Sequence, residues 1–339
     1  MPPKRAVRRA IVGAMRSTCS LYIDTGYLLA SAATRVTGTS LRSGIHVDYA
    51  TLISSLIDTV ETRSGLPALR VHWYDSARNG VPDIQQERIG ELPKVKLRLG
   101  RFGVNGEQKG VDLRIGLDLV AHARNGVSDV FFLITGDDDL TEAVEEAQIH
   151  GVQVVLLAVP SAKGQPHGVS RHLIRAADEL DLLDGDAIDA AVLKIDRQPV
   201  PAQAKPEPVR PQPVAPAPRP AARTPLDIVT ATAPQGRPVP QPKSVLAYSS
   251  TTGTPTQVAP EYGDDQGVID EVVARVLASF RESATSEDKL ELLRARPSIP
   301  RDIDRALLLD ASDAMARDDL DEGVRFQLRA RFWEKFDDL

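Results

Sequence analysis

The hydrophobic pattern of the first half of the chain predicts a three-layer α/β domain. Continuous apolar runs at residues 130–135 and 152–159 are typical of strands that are covered on both faces. Residues 95–99 alternate between apolar and polar side chains, which indicates a strand with one solvent-facing side. Further strands are predicted at 21–23 and 69–74, and amphipathic helices at 47–60, 111–122 and 140–149. Strands separated by helices favour right-handed crossovers and a mainly parallel sheet.

A purely helical pattern governs the C-terminal residues. One apolar stripe at helical spacing is formed by Ile269, Val272, Val273, Val276, Leu277 and Phe280. Thr285 or Ser286 is suited to cap a second helix, and Pro300 stands where a first-turn proline would begin another. A last helix is predicted at 320–336 by a four-residue spacing of apolar side chains. Three or four such helices predict a small all-α bundle.

Composition divides the chain into four parts. Residues 197–266 are rich in proline, which removes backbone donors and prevents a continuous helix, so we expect a disordered linker there. Residues 1–19 are basic and contain no acids, and we expect them to form a disordered arm. The predicted linker separates an α/β domain at 20–196 from a small helical domain at 267–339.

The overall composition excludes several classes of protein. Cys19 is the only cysteine, so neither an intramolecular disulfide nor a thiolate zinc cluster can form. A reduced, cytoplasmic compartment fits this best. No apolar run approaches the roughly 18 residues of a membrane span, so no membrane association is expected. The net charge of −6 means that any nucleic-acid binding would need a local basic patch.

Aspartates follow two of the predicted strands, at the point where each strand ends. Asp24 closes the first strand, and Asp137, Asp138 and Asp139 follow the strand at 130–135. Because parallel neighbours bring their carboxyl ends to one edge of a sheet, we expect these carboxylates to meet. Their mutual repulsion would be relieved by a hard divalent cation such as Mg²⁺ or Mn²⁺. Asp138 and Asp139, taken singly, also suit helix capping, but one cap needs only one carboxylate.

A third acidic segment surrounds the start of the predicted helix at 111–122. Asp112 stands where the helix dipole favours an anion whatever its function. Asp118 follows six residues later, about 120° away around the helix, so it either supports the site from outside or is solvated. Lys109 either meets a phosphate or is an ordinary surface lysine.

These segments resemble the signature motifs of NYN domains, which are relatives of PIN-like nucleases and of LabA-like proteins. The motifs are Ile23-Asp24-x-Gly26, Lys109-Gly110-Val111-Asp112 with Asp118, and Thr135-Gly136-Asp137-x-Asp139-Leu140. The resemblance spans roughly residues 20–183. It implies that Asp24, Asp112 and Asp137 bind metal and act in catalysis. It also implies a catalytic role for Asp139, with Asp118 and Asp138 as supporting residues.

The activity that the resemblance implies is hydrolysis of RNA phosphodiester bonds with Mg²⁺ or Mn²⁺. The RNA would be single-stranded or structured, and endonuclease and exonuclease action both remain open. The family commonly has asparagine at the position of Tyr27, whose hydroxyl donates to a phosphate but does not replace an amide ligand. The alternative is therefore a catalytically inactive NYN fold that acts as a binding or regulatory module. In that case the C-terminal helices would contact a protein or nucleic-acid partner. Homo-oligomerisation is left open.

A basic segment offers a counterpart for substrate charge. Strand alternation would place Lys94, Lys96 and Arg98 on one face, either as a track for phosphates or as charges that protect an edge strand. Other chemistries fit less well. A haloacid-dehalogenase-like phosphatase would need a second aspartate where Gly26 stands, whereas receiver-type phosphorylation remains open on fold alone.

Overall fold

The computed structural model describes residues 17–102, 108–195, 265–317 and 320–338, with backbone alone at 78, 101, 102, 108 and 109. Most of the predicted basic arm and nearly all of the predicted proline-rich linker lie outside these residues. The described part begins just before the first strand, at Cys19, and resumes with a helix at Asp265.

Nine strands are present in the described part of the chain. They are β1 (Cys19–Asp24), β2 (Ile45–Val47), β3 (Ala68–Ala77), β4 (Val95–Phe102), β5 (Gln108–Lys109), β6 (Val130–Ile134), β7 (Gln153–Ala158), β8 (Glu179–Leu182) and β9 (Val192–Lys194). Seven of them form one sheet in the order β5-β4-β3-β1-β6-β7-β8, while β2 and β9 form a separate pair. All neighbours in the large sheet are parallel except β4 and β5. The predicted mainly parallel α/β fold is confirmed.

Helices connect these strands and complete the chain. They are α1 (Thr25–Thr37), α2 (Tyr49–Ser64), α3 (Ile84–Gly90), α4 (Val111–Arg124), α5 (Thr141–Ile149), α6 (Arg171–Ala176), α7 (Gly185–Ala191), α8 (Asp265–Ser283), α9 (Ser286–Ala295), α10 (Arg301–Met315) and α11 (Glu322–Asp337). None of the described helices is both long and apolar enough to cross a membrane.

The large sheet is covered on both faces, as its continuous apolar strands require. Alternate residues of β1 enter two different hydrophobic clusters: Leu21 and Ile23 pack in one, and Tyr22 packs in the other. All three side chains are completely buried. This two-sided burial places β1 at the centre of the domain and fixes its end, where Asp24 lies, at a defined edge of the sheet.

The C-terminal helices have a hydrophobic cluster of their own, to which one residue of the α/β domain contributes. Leu41, fully buried between α1 and β2, packs in the cluster formed by α8, α9, α10 and α11. The predicted Thr285 cap is present, and its capping-box partner is Asp288. Pro300 is the N-cap of α10 rather than a first-turn residue. The helical bundle therefore packs directly against the α/β domain.

Candidate active site

The predicted meeting of strand ends occurs at one edge of the sheet. β1 and β6 are parallel neighbours in which Ile23 lies opposite Ile134, so both strands end together. Asp24 is the last residue of β1, and Asp137 comes three residues after β6. The first turn of α4 brings Asp112 to the same edge, where its charge is coupled to those of Asp24 and Asp137.

We call Asp24, Asp112 and Asp137 the acidic cluster, and Asp24 is its most buried member. It is 8% exposed, and its Oδ1 accepts a 2.8 Å hydrogen bond from the backbone N–H of Gly26 as the N-cap of α1. The Thr135 hydroxyl lies 3.5 Å from its other oxygen. The pKa of Asp24 is raised to about 6, chiefly by burial; the positive charge of Arg305 opposes this increase, and the negative charge of Asp112 adds to it.

Asp112 and Asp137 are half-buried, and the pKa of each is raised. Burial raises the pKa of Asp112, against a contribution from Arg305, and the charge of Asp139 adds to the increase. Burial also raises the pKa of Asp137, and the neighbouring charges of Asp112, Asp139 and Asp138 act in the same direction. Holding these carboxylates together therefore costs free energy, which the positive charge of Arg305 only partly offsets.

Arg305 was not predicted as part of this site. It lies on α10, is half-buried, and a Cβ placed at Gly26 would be 3.0 Å both from Arg305 Nη2 and from Asp24 Oδ1. Burial lowers the pKa of Arg305, as does the nearby charge of Arg42, while Asp24 raises it. No local pattern links residues 281 positions apart, so the sequence carries no signal for this pairing.

The chemistry of the acidic cluster suits a hard divalent cation, because carboxylate oxygens are the ligands that such ions prefer. Repulsion among Asp112, Asp137 and Asp139 is the kind of cost that a bound cation removes. Within the described ranges, however, no three Asp, Glu, His or Cys side chains form a group that could hold an ion. In this arrangement Arg305 supplies positive charge beside Asp24.

Comparison with known proteins agrees with this placement of acids. Residues 19–183 match the family model of the NYN domain. This region is an NYN domain. The family belongs to the PIN-like nuclease superfamily, in keeping with the resemblance seen in the sequence motifs.

One relative of the chain is an uncharacterized protein, y4oD, of Sinorhizobium fredii. It is 37% identical over 98 residues, which amount to 29% of this chain and 46% of the relative. The chain thus spans less than half the length of this relative, and the match concerns one region of each protein.

The helical turn after β6 in the NYN domain has a different N-cap residue from those predicted. Asp137, rather than Asp138 or Asp139, is the N-cap of a short 3-10 helix, and its Oδ1 accepts a 3.0 Å hydrogen bond from the N–H of Asp139. Asp138 is exposed and accepts a 2.5 Å hydrogen bond from the Ser170 hydroxyl. The predicted capping by Asp138 or Asp139 was wrong, because α5 begins at Thr141, its N-cap residue is Leu140, and no side chain caps it.

Asp118 lies outside the acidic cluster of the NYN domain and is not solvated. It is 8% exposed, forms an ion pair with Arg98 that includes a 2.7 Å hydrogen bond from Nε, and accepts a 2.9 Å hydrogen bond from the Tyr74 hydroxyl. Burial favours its neutral form, but hydrogen bonds from Arg98 and Tyr74 outweigh this and lower the pKa of Asp118. It therefore joins α4 to the sheet.

The basic track proposed for substrate is not a continuous row. Arg98 is engaged by Asp118, and Lys94 lies before β4 with a positive φ of 64° and Nζ 2.8 Å from a Glu61 oxygen. Lys96 is exposed on β4. The side chain of Lys109 lies outside the described residues. Two of the three predicted track residues thus have ion-pair partners, and Lys94 precedes the strand, so it is not part of the alternating face that was predicted.

Tyr27, which stands where the family commonly has asparagine, is a core residue of the NYN domain. Its hydroxyl donates a 2.7 Å hydrogen bond to the carbonyl oxygen of His167 and accepts a 3.3 Å bond from the N–H of Val159. Burial raises its pKa. Its ring packs so closely on Gly136 that a Cβ there would lie 2.9 Å from the ring and 1.8 Å from the Gly168 carbonyl oxygen. Tyr27 therefore braces the turn that carries Asp137.

A groove of about 900 Å³ lies between α4 and α5 and includes Asp112 and Asp139 in its lining. Its floor and walls are largely apolar, with Leu113 and Leu117 exposed along α4 and Arg124 farther along the same helix. The groove gives an extended molecule room to lie beside the acidic cluster.

Proposed function

We propose that the protein is a divalent-metal-dependent ribonuclease that hydrolyses RNA phosphodiester bonds at the edge formed by β1, β6 and α4. The observation that carries this proposal is the gathering of Asp24, Asp112 and Asp137 in the NYN domain, with the pKa of each raised. Bringing half-buried like charges together costs free energy beyond what two helix caps require, so perturbed carboxylates of this kind support a functional site.

Asp24, Asp112 and Asp137 would hold Mg²⁺ or Mn²⁺. When bound, such an ion polarises a phosphate oxygen and lowers the pKa of a water molecule. Asp139, which is exposed beside this cluster, would orient the attacking water and accept its proton. Thr135 and Gly26 keep Asp24 in one position through their contacts with its two oxygens. Asp138 would support the turn through Ser170 rather than meet the substrate.

An RNA strand would lie along the groove between α4 and α5, which has Asp112 and Asp139 in its lining. Phosphates would be met by the exposed Lys96, by Lys109 or by basic residues of the N-terminal arm. A cytoplasmic location agrees with RNA as the substrate.

The test is RNA cleavage by the purified full chain in the presence of Mn²⁺, Mg²⁺ or a chelator. We expect metal-dependent cleavage by the wild type and a loss of roughly 100-fold or more in Asp24→Asn and Asp137→Asn. Asp58→Asn, which makes the same change on the exposed face of α2, should cleave like the wild type. Single-stranded and structured RNA should be compared in parallel.

Equal cleavage by all variants would point to a contaminating nuclease and would refute the site. Folded wild-type protein without metal-dependent cleavage would instead favour the second candidate, a non-catalytic NYN domain that binds a partner through its C-terminal helices. The observation in favour of that candidate is the charge of Arg305 beside Asp24. Retained RNA binding without cleavage would identify it directly.

A further inference from the structure

The C-terminal helices are anchored to the NYN domain next to its acidic cluster. The backbone N–H of Ser40 donates a 2.9 Å hydrogen bond to Asp310 Oδ1, and its hydroxyl lies 3.4 Å from the carbonyl oxygen of Ala306. Both Ser40 and Asp310 are buried, and the neighbouring Leu41 packs in the core of the helical bundle. Lys194 at β9 adds an ion pair of 2.7 Å with Glu282 of α8.

This anchoring brings one cation of α10 to the acidic cluster. Arg305 lies immediately before Ala306, and its guanidinium and the Asp24 carboxylate flank Gly26 at the same distance, 3.0 Å from the position of a Cβ. The charge of Arg305 acts on Asp112 as well as on Asp24. One arginine from the helical bundle thus partly neutralises two of the three carboxylates that the proposed function assigns to a metal.

A guanidinium and a divalent cation at the same carboxylates compete, because each gains from the negative charge and the two repel each other. The described part of the site agrees with such competition: the acids are gathered, yet no three of them form a group that would hold an ion. Ser40 contacts Ala306, the residue next to Arg305, and Asp310, five residues farther along α10, so the position of the guanidinium depends on the docking of this helix.

We propose that Arg305 of α10 binds Asp24 in place of the divalent cation, so that the docked C-terminal helices restrain metal binding by the NYN domain. This rests on the proposed function for the identity of the metal site. By linkage, a metal ion that displaces Arg305 must loosen the docking of α10 by the same factor as docking weakens metal binding.

The first measurement is Mn²⁺ affinity by calorimetry, without RNA, on the full chain. We expect Arg305→Gln to bind Mn²⁺ about 10-fold more tightly than the wild type, a change within the range usual for coupled sites. Arg305→Lys keeps the charge and should stay close to the wild type. Arg331→Gln removes an ion pair between α11 and α8, with Asp270, that does not involve α10 and should leave the affinity unchanged.

The second measurement needs no variant of Arg305. Hydrogen exchange of the wild-type backbone should become faster across α10 when Mn²⁺ is added, while exchange in α2 stays constant. Equal Mn²⁺ affinity in wild type and Arg305→Gln, absence of binding in both, or unchanged or slower exchange in α10 would each overturn the proposal.

RNA cleavage separates this inference from the proposed function. Tighter Mn²⁺ binding by Arg305→Gln with no cleavage by any variant would uphold the competition and refute the nuclease. Loss of cleavage in Arg305→Gln at unchanged Mn²⁺ affinity would refute the competition and show instead that Arg305 holds the substrate phosphate.

Discussion

Two aspartates on the same helix, Asp112 and Asp118, lie in opposite electrostatic environments. Asp118 has an arginine and a tyrosine hydroxyl as hydrogen-bond partners, and its pKa is lowered. Asp112 lies six residues earlier beside other carboxylates, and its pKa is raised. A structural carboxylate comes with its own partners from neighbouring strands, whereas a candidate functional carboxylate is kept among like charges.

Asp118 and Asp112 also differ in the groups that surround them. Asp118 belongs to a buried polar layer between α4 and the sheet, which we define as Tyr22, His72, Tyr74, Arg98, Asp118 and His122. In this layer the Tyr22 hydroxyl is 2.9 Å from His122 Nδ1, and the rings of Tyr22 and His72 stack at 4.9 Å. Among the described residues, the cation whose charge acts on the acidic cluster is Arg305, which comes from the distant helix α10. The buried polar layer should therefore affect stability, and the acidic cluster should affect chemistry.

The largest expected effect on stability concerns the pH dependence of the buried polar layer. Burial lowers the pKa of His72 from 6.5 to about 3, so between these values the unfolded chain binds a proton that the folded chain excludes. This contribution is complete above pH 6.5 and is lost as pH falls towards 3. It amounts to about 3 kcal/mol by pH 4. Urea unfolding at pH 7, 5.5 and 4 measures it.

His72→Phe, which keeps an aromatic ring against Tyr22, should flatten this acid dependence. His122 will retain part of the slope, since burial lowers its pKa as well. An identical pH dependence of the free energy of unfolding in wild type and His72→Phe would show that His72 takes up a proton as readily in the folded as in the unfolded chain. The layer would then not lower the pKa of its histidine.

The next effect is the cost of removing the charge of Asp118. Asp118→Asn leaves the half-buried Arg98 without its carboxylate partner, and we expect a loss of about 2 kcal/mol in the free energy of unfolding. Denaturant unfolding at pH 7 checks this value. RNA cleavage per folded molecule should hardly change, because Asp118 lies outside the acidic cluster. A large loss of cleavage at full stability would place Asp118 in the catalytic machinery.

The smallest expected effect is a gain in stability rather than a loss. Asp137→Asn keeps an oxygen that accepts the capping hydrogen bond but removes repulsion with Asp112, Asp138 and Asp139. We expect the free energy of unfolding at pH 7 and low salt, without divalent metal, to rise by about 0.5–1 kcal/mol. Thermal melting in low and high salt measures it, since screening should shrink the gain. Destabilisation would mean that Asp137 is a structural residue like Asp118.

Periodicity in the sequence was sufficient to predict most of the fold. The apolar runs of β6 and β7 and the stripe of α8 are local patterns, and each element was confirmed with small shifts of its ends. Helix α1 was missed because its first nine residues are all buried, so it shows no polar face that would mark a helical period. The short elements β2, α3, α6 and β9 have too few residues for any period to stand out.

Spacing within short stretches of the chain was enough to predict the α/β class, the helical C-terminal segment and the aspartates that follow β1 and β6. It did not predict which carboxylates are neutralised or which groups neutralise them, because those groups meet only when the chain folds. Asp118 pairs with Arg98, and Arg305 reaches Asp24 from the far end of the chain. Such pairs depend on how whole elements pack against one another, and no local pattern of side chains encodes the partner.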